Sequence, residues 1–157
     1  MHPRECAFVE RAAAEHDLDI DVHEFPEGTK TATDAADAIG CDVAQIASSL
    51  AFRAPDPVVV VTSGANRVSE ARLARIRDVP ESEVAMADAD DVRETLGWSI
   101  GGVPPFCHES AVPVYLDETL TGFETVWAAA GTPEAVFPIA PSRLETLADA
   151  RPVDVAE

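Results

Sequence analysis

Ser48-Ser49-Leu50-Ala51-Phe52, the turn Pro55-Asp56-Pro57 and the run Val58-Val59-Val60-Val61-Thr62 form the stretch that decides the fold. Four consecutive valines are β-branched, stiff at χ1 and suited to a pleated surface. A strand with one wet face would alternate with polar residues; an unbroken aliphatic run is a strand covered on both faces. Residues 48–52 read as a second strand entering the same core. Two prolines bracketing an aspartate turn the chain between them, so the two strands are expected to form a hairpin.

Upstream, Pro3 suits the first turn of a helix over residues 4–16, with Phe8, Val9, Ala12 and Ala13 on one face. Ile20, Val22 and residues 23–25 read as a short strand that stops at Pro26-Glu27-Gly28. Thr31 and Thr33 are candidate N-caps for a helix over 34–39, closed by Gly40, and residues 42–46 predict one further helical turn. Downstream of the valines, residues 69–76 read as a helix and 84–87 as a short strand. Asp88 caps a helix over 89–96 that Gly97 ends. Residues 112–116, 125–129 and 135–139 read as strands, Pro141 opens a helix to 148, and 152–157 is an edge strand and tail. Helices and strands are interspersed without regular βαβα alternation. The expectation is one domain over 1–157, a mixed α/β fold with a curved, partly antiparallel central sheet surrounded by helices.

Charge is the unusual quantity. Twenty-nine acidic residues oppose 11 basic ones for a net charge of −18, and Lys30 is the only lysine. Exposed charges are screened within about 3 Å at 1 M salt, so a saline, halophilic cytosol is the setting such a surface fits. A nucleic-acid partner would have to be met by a few arginines or backbone amides. Arg67, Arg72, Arg75 and Arg77 cluster, but their spacing is that of a solvated face. The longest aliphatic run, the four valines, is far short of the ~20 residues a membrane span needs. No basic region followed by an apolar one opens the chain, so a cytoplasmic address without membrane contact is expected. Cys6, Cys41 and Cys107 are odd in number, far apart and without zinc spacing.

The most rigidly punctuated stretch is Gly97-Trp98-Ser99-Ile100-Gly101-Gly102-Val103-Pro104-Pro105-Phe106. Glycines admit close backbone approach and prolines fix φ, so this run makes a loop of defined shape with exposed main-chain groups. The residues alone leave two readings open, a tight helix-to-strand connection or a ligand site built from backbone. Cys107-His108 follows at once, but chain neighbours point apart and do not make a nucleophile–base pair. Phosphate-loop, dinucleotide and nucleophile-elbow signatures do not occur. Paired acids are too abundant here to be diagnostic.

The order of these signals resembles the YbaK/ProX family, the aminoacyl-tRNA deacylase domain also found inserted in some bacterial prolyl-tRNA synthetases. The matching segments are residues 31–40, Gln45-Ile46-Ala47-Ser48-Ser49-Leu50-Ala51-Phe52, the valine strand, Asn66-Arg67-Val68, residues 97–106, residues 114–120, Ala130-Gly131 and Ser142-Arg143-Leu144. The resemblance spans nearly the whole chain. It implies a stand-alone trans-editing hydrolase that cleaves the ester of a mischarged tRNA, with tRNA and an aminoacyl-tRNA synthetase as partners. A second sieve of this kind is needed because a synthetase pocket separates one methylene by only about 1–3 kcal/mol. No metal or organic cofactor is implied.

The resemblance also assigns residues. The glycine-proline loop maps onto Gly101 to Pro105, with Gly101, Gly102 and Ser48 as the catalytic set. Lys30, Thr31, Ser49, Pro105, Phe106 and Gly131 are the substrate-binding set. One departure stands out: active members of the family carry lysine where this chain has Ser48, and serine cannot replace a cation on a phosphate. The basic residues that often follow the glycine at 131 are replaced by Thr132-Pro133-Glu134. A non-catalytic module that binds aminoacyl-tRNA or a synthetase is the alternative reading.

Overall fold

The computed structural model describes residues 2–25 and 31–157. Among these residues five α-helices are formed: α1 (Pro3–His16), α2 (Ala32–Ile39), α3 (Glu70–Arg77), α4 (Ala89–Leu96) and α5 (Pro141–Ala148). The strands are β1 (His23–Glu24), β2 (Ile46–Arg53), β3 (Pro57–Ser63), β4 (Ala85–Met86), β5 (Val114–Asp117), β6 (Val126–Ala129), β7 (Ala135–Ile139) and β8 (Ala150–Val153). They make one mixed sheet in the order β1-β7-β6-β2-β3-β5-β8, with β4 also paired to β2. The expected hairpin is present: β2 and β3 are antiparallel from Ala47 opposite Ser63 to Arg53 opposite Pro57. β2–β6, β3–β5 and β5–β8 are parallel.

The valine run is covered on both faces, as its composition requires. Val59 and Val61 enter a core with Phe8 and Ala12 of α1, Val92 and Leu96 of α4, and Leu144 of α5. Val58 and Val60 enter a second core with Leu73 and Ala74 of α3, Tyr115 and Val153. A smaller cluster seats Ala35 and Ala36 of α2 on Ile46. Ala13, expected on the packed face of α1, is exposed; buried Glu5 continues that face instead, its Oε2 accepting from Thr132 Oγ1 at 2.8 Å. No helix among the described residues is long and apolar enough to cross a membrane.

Two expectations are corrected at the sheet edges. The strand read over Ile20 to Phe25 shrinks to His23–Glu24, paired to β7. Phe25 N–H donates to Glu134 O, and continuing that register places Asp21 against Pro138, which has no N–H to donate. The ladder therefore stops. At the other edge, the last strand begins at Ala150, before the expected position, because β5 pairs with it from Val114 opposite Ala150 to Asp117 opposite Val153.

The loop after α4 is also more buried than its glycines and prolines imply. Gly97 ends the helix at φ +81°, Gly101 is exposed at φ +84°, and residues 102–107 are buried. Trp98 Nε1–H donates to Cys107 O at 2.9 Å, and Phe106 packs against Phe8 and Phe137. Prolines suit such a place because they bring no N–H needing a partner. Exposed main chain is confined to Gly97 at the helix end and to the tip around Ile100 and Gly101.

Candidate functional site

β2 is a strand whose outer edge is shared between two short neighbours, and the gap between them opens a cavity. β6 pairs Ile46 and Ala47 of β2, while β4 pairs Phe52 and Arg53. Beyond Ala47 the strands β2 and β6 part. The space between them measures about 220 Å³. Ser48, Ser49 and Leu50 form one wall, Trp127 and Ala129 of β6 with Ala135 and Val136 of β7 another. Thr31, Ala32 and Ala35 at the start of α2 close it, together with Phe25, and Gly101 and Pro133 stand at its mouth.

Each wall is fixed by local chemistry. Thr31 Oγ1 accepts from Asp34 N–H at 3.1 Å and so caps α2, whose other end is closed by Gly40 at φ +86°. The expected turn before β2 is a single 3₁₀ turn, Val43–Gln45. Asp42 Oδ1 accepts from Ala44 N–H, Gln45 Oε1 accepts from Asp42 N–H, and Gln45 Nε2–H donates to Thr125 O at 3.0 Å. This box ties the entry of β2 to the entry of β6. Gly64 is required beside it, because a Cβ there would lie 2.6 Å from Val43 O. Trp127 is braced by His23, whose ring meets it edge-on at 5.0 Å.

Behind the cavity the end of β3 is held by a buried carboxylate. Asp117 Oδ2 accepts from Ser63 N–H at 3.1 Å, Asn66 Nδ2–H at 2.9 Å and Thr62 Oγ1–H at 3.3 Å, and Oδ1 accepts from Thr119 N–H at 3.0 Å. Burial alone would raise its pKa, but the donors from Asn66, Thr119 and Ser63 win and hold it below the ordinary carboxylate value. Ser63 Oγ–H in turn donates to Ala44 O at 2.7 Å, which carries the restraint to the turn preceding β2.

The residues singled out in the sequence are distributed as follows. Ser48, Ser49, Thr31 and Gly101 meet at the cavity. Gly102 lies behind Gly101, its N–H donating to Ser99 O and its Cα packed on the Thr132 backbone. Pro105 and Phe106 are buried in the loop, Phe106 in the aromatic cluster with Phe8, His16 and Phe137. Gly131, at φ +103°, sits against Arg4 O in a neighbouring shallow concavity that shares Pro133 with the cavity. Lys30 lies outside the described residues. Trp127, Ala129, Ala35 and Val136 were not singled out; periodicity placed them on elements, and only the splay of β2 from β6 puts them around one space.

The cavity's polar equipment is modest. Among the described lining residues the polar side-chain groups are the hydroxyls of Thr31, Ser48 and Ser49 and the indole N–H of Trp127, so no acid, thiol, imidazole or cation faces it from that set. Cys107 and His108 are elsewhere. Burial pushes the Cys107 thiol up to about 11 and lowers the His108 imidazole, whose Nε2–H donates to Pro104 O at 2.8 Å. Neither is a poised nucleophile or base. Replacing the cap by Thr31→Ala is expected to cost about 1 kcal/mol and to fray the α2 wall, read as a lower denaturation midpoint and weaker ligand binding, with Thr31→Ser retaining both.

Residues 26–147 match the family described as aminoacyl-tRNA editing domain. An uncharacterized protein of Bacillus subtilis, YwhH, is 32% identical over 126 residues, covering 79% of this chain and 78% of that protein. A proline–tRNA ligase of Lactobacillus acidophilus is 30% identical over 122 residues, covering 73% of this chain but 21% of the ligase. A crystal structure provisionally assigned as a trans-editing enzyme for prolyl tRNA synthetase superposes with a TM-score of 0.93 at 36% identity, covering 100% of this chain and 99% of that one. With the fold matched along its whole length and the family match spanning both walls of the cavity, this chain belongs to the aminoacyl-tRNA editing domain family.

Proposed function

We propose that the protein is a stand-alone trans-editing deacylase, hydrolysing the ester between a small or medium amino acid and a mischarged tRNA. The observation that carries this reading is the cavity itself: a space of about 220 Å³, mostly apolar, with Gly101 main chain at its mouth and the edge of β2 in its wall. An aminoacyl group fits such a space, and preoriented amides stabilise the developing oxyanion of ester hydrolysis without reorganising. Water is the nucleophile in this scheme, because the lining hydroxyls have no base beside them among the described residues. A synthetase partner follows by analogy with the related ligase. A saline cytoplasm is the working medium we propose for a chain of charge −18 that must approach a polyanion.

Serine at position 48, where the resemblance places a lysine, favours a second reading, a module that binds aminoacyl-tRNA without efficient turnover. The test is a deacylation screen over a panel of mischarged tRNAs in multimolar salt. Hydrolysis of at least one pair above the spontaneous rate is expected. Ser48→Lys places a cation at position 48 and is expected to raise kcat/KM about ten- to hundredfold, the worth of one charge-assisted hydrogen bond. Retained tRNA binding with no ester cleaved by either protein would establish the binding module instead.

A further inference from the structure

Resting on the editing reading, we infer that the free edge of β2 at Ser49 pairs with the aminoacyl group as though that group were a one-residue strand. Gly64 N–H donates to Ile46 O across the hairpin, so alternate residues of β2, those numbered evenly, bond to β3. The main chains of Ala47, Ser49 and Ala51 therefore face the opposite edge. On that edge Ala47 is paired by β6, and Ala51 O accepts from Ala87 N–H at 3.0 Å. Ser49 falls between these partners. Its N–H and C=O have no strand partner among the described residues, and they lie in the wall of the cavity.

A second observation points the same way. Ser49 is 7% exposed, yet its Oγ has no hydrogen-bond partner among the described residues. A buried polar group without a partner is costly, and such groups call for an explanation. An α-aminoacyl ester supplies complementary atoms in the right order: its ammonium donates to Ser49 C=O, its ester carbonyl accepts from Ser49 N–H, and Ser49 Oγ offers the ammonium a second acceptor. This is the double exchange of a hydrogen-bonded antiparallel pair, the mode by which extended peptides add to open sheet edges. The contact to the ester carbonyl makes the Ser49 amide a donor to the oxyanion, acting with the Gly101 loop.

The experiment uses two non-hydrolysable probes, 3′-alanylamino-3′-deoxyadenosine and its 3′-propionylamino counterpart, which keeps the carbonyl and lacks the amine. Amide NMR of the full chain is expected to show the Ser49 N–H shifted and protected from exchange at least tenfold by the alanyl probe. The propionyl probe is expected to bind about ten- to hundredfold more weakly. Ser49→Ala leaves the edge main chain in place, and should weaken the alanyl probe several-fold and the propionyl probe not at all. Binding of the alanyl probe with an unperturbed Ser49 amide, equal affinity for both probes, or no binding at millimolar probe each overturns the inference. Failure of the deacylase reading is a different result, intact ester on every tRNA, and is compatible with a protected Ser49 amide.

Discussion

Gly102→Ala is expected to lower stability by about 2–4 kcal/mol, a fall in melting temperature of roughly 5–15 °C for a chain of this size. An ideal Cβ at residue 102 would lie 2.6 Å from Thr132 Cα, 2.8 Å from its carbonyl carbon and 3.0 Å from its nitrogen. All three are backbone atoms and none can swing aside. Thr132 is itself fixed by its bond to the buried Glu5 carboxylate, so relief requires moving α1 or the whole loop. Gly101 behaves differently. Its Cβ would meet only Pro133, at 3.5 Å from Cγ and 3.8 Å from Cβ, and the cost of an alanine there is the backbone one of φ +84°, about 1 kcal/mol. Gly101→Ala is therefore the informative probe of loop chemistry, with a small change in melting temperature and a larger loss of deacylation. A Gly102→Ala protein that melts with the wild type would show that Thr132 and the loop yield more readily than this packing allows.

That contrast also shows what could be read from residues in order. The valine run announced a strand covered on both faces, and the alternation of Val58 and Val60 with Val59 and Val61 between two cores is its direct expression. Caps were legible for a similar reason: Thr31, Asp88, Gly40 and Gly97 act within a few residues of themselves. Interactions between distant segments were not. Nothing local distinguishes Gly101, open to the cavity, from Gly102, pressed on a backbone thirty residues later. β1 was overextended because its limit is set by Pro138 on another strand. Trp127 and Ala129 looked like ordinary strand residues, and their role as a wall follows from a parallel pairing of β2 with β6 that lasts for only two residues. The family resemblance supplied Gly101, Gly102, Ser48, Lys30, Thr31, Ser49, Pro105, Phe106 and Gly131, and of these the fold brings Ser48, Ser49, Thr31 and Gly101 to one space. It carried no signal for the unpaired edge of Ser49, which depends on where two neighbouring strands stop.

Asp117→Ala is expected to be the other severe change, with a loss of about 3 kcal/mol or more. The carboxylate is 1% exposed and receives Asn66 Nδ2–H, Ser63 N–H, Thr119 N–H and Thr62 Oγ1–H. Removing it strands Ser63 N–H and Thr62 Oγ1–H, which are buried and cannot reach water without opening the end of β3, whereas Asn66 and Thr119 lie nearer the surface. Asp117→Asn keeps the shape but presents an NH₂ to one of these donors, and about 2 kcal/mol is expected to be lost at neutral pH. The pH dependence separates charge from shape. Because the folded pKa is depressed, the unfolded chain takes up the proton first on acidification. The contribution of the ionised group is complete above the unfolded value, about pH 4, and is lost as pH falls through the lower folded value. Urea melts of wild type and Asp117→Asn at constant high salt are therefore expected to differ most at pH 7 and to converge as the pH falls through the depressed folded value. A constant gap across that range would mean that the donors need the geometry of the side chain and draw nothing from its charge. Since Ser63 passes the restraint to Ala44 and the start of β2, both variants should also loosen the cavity wall, weakening binding of the alanyl probe in parallel with the stability loss.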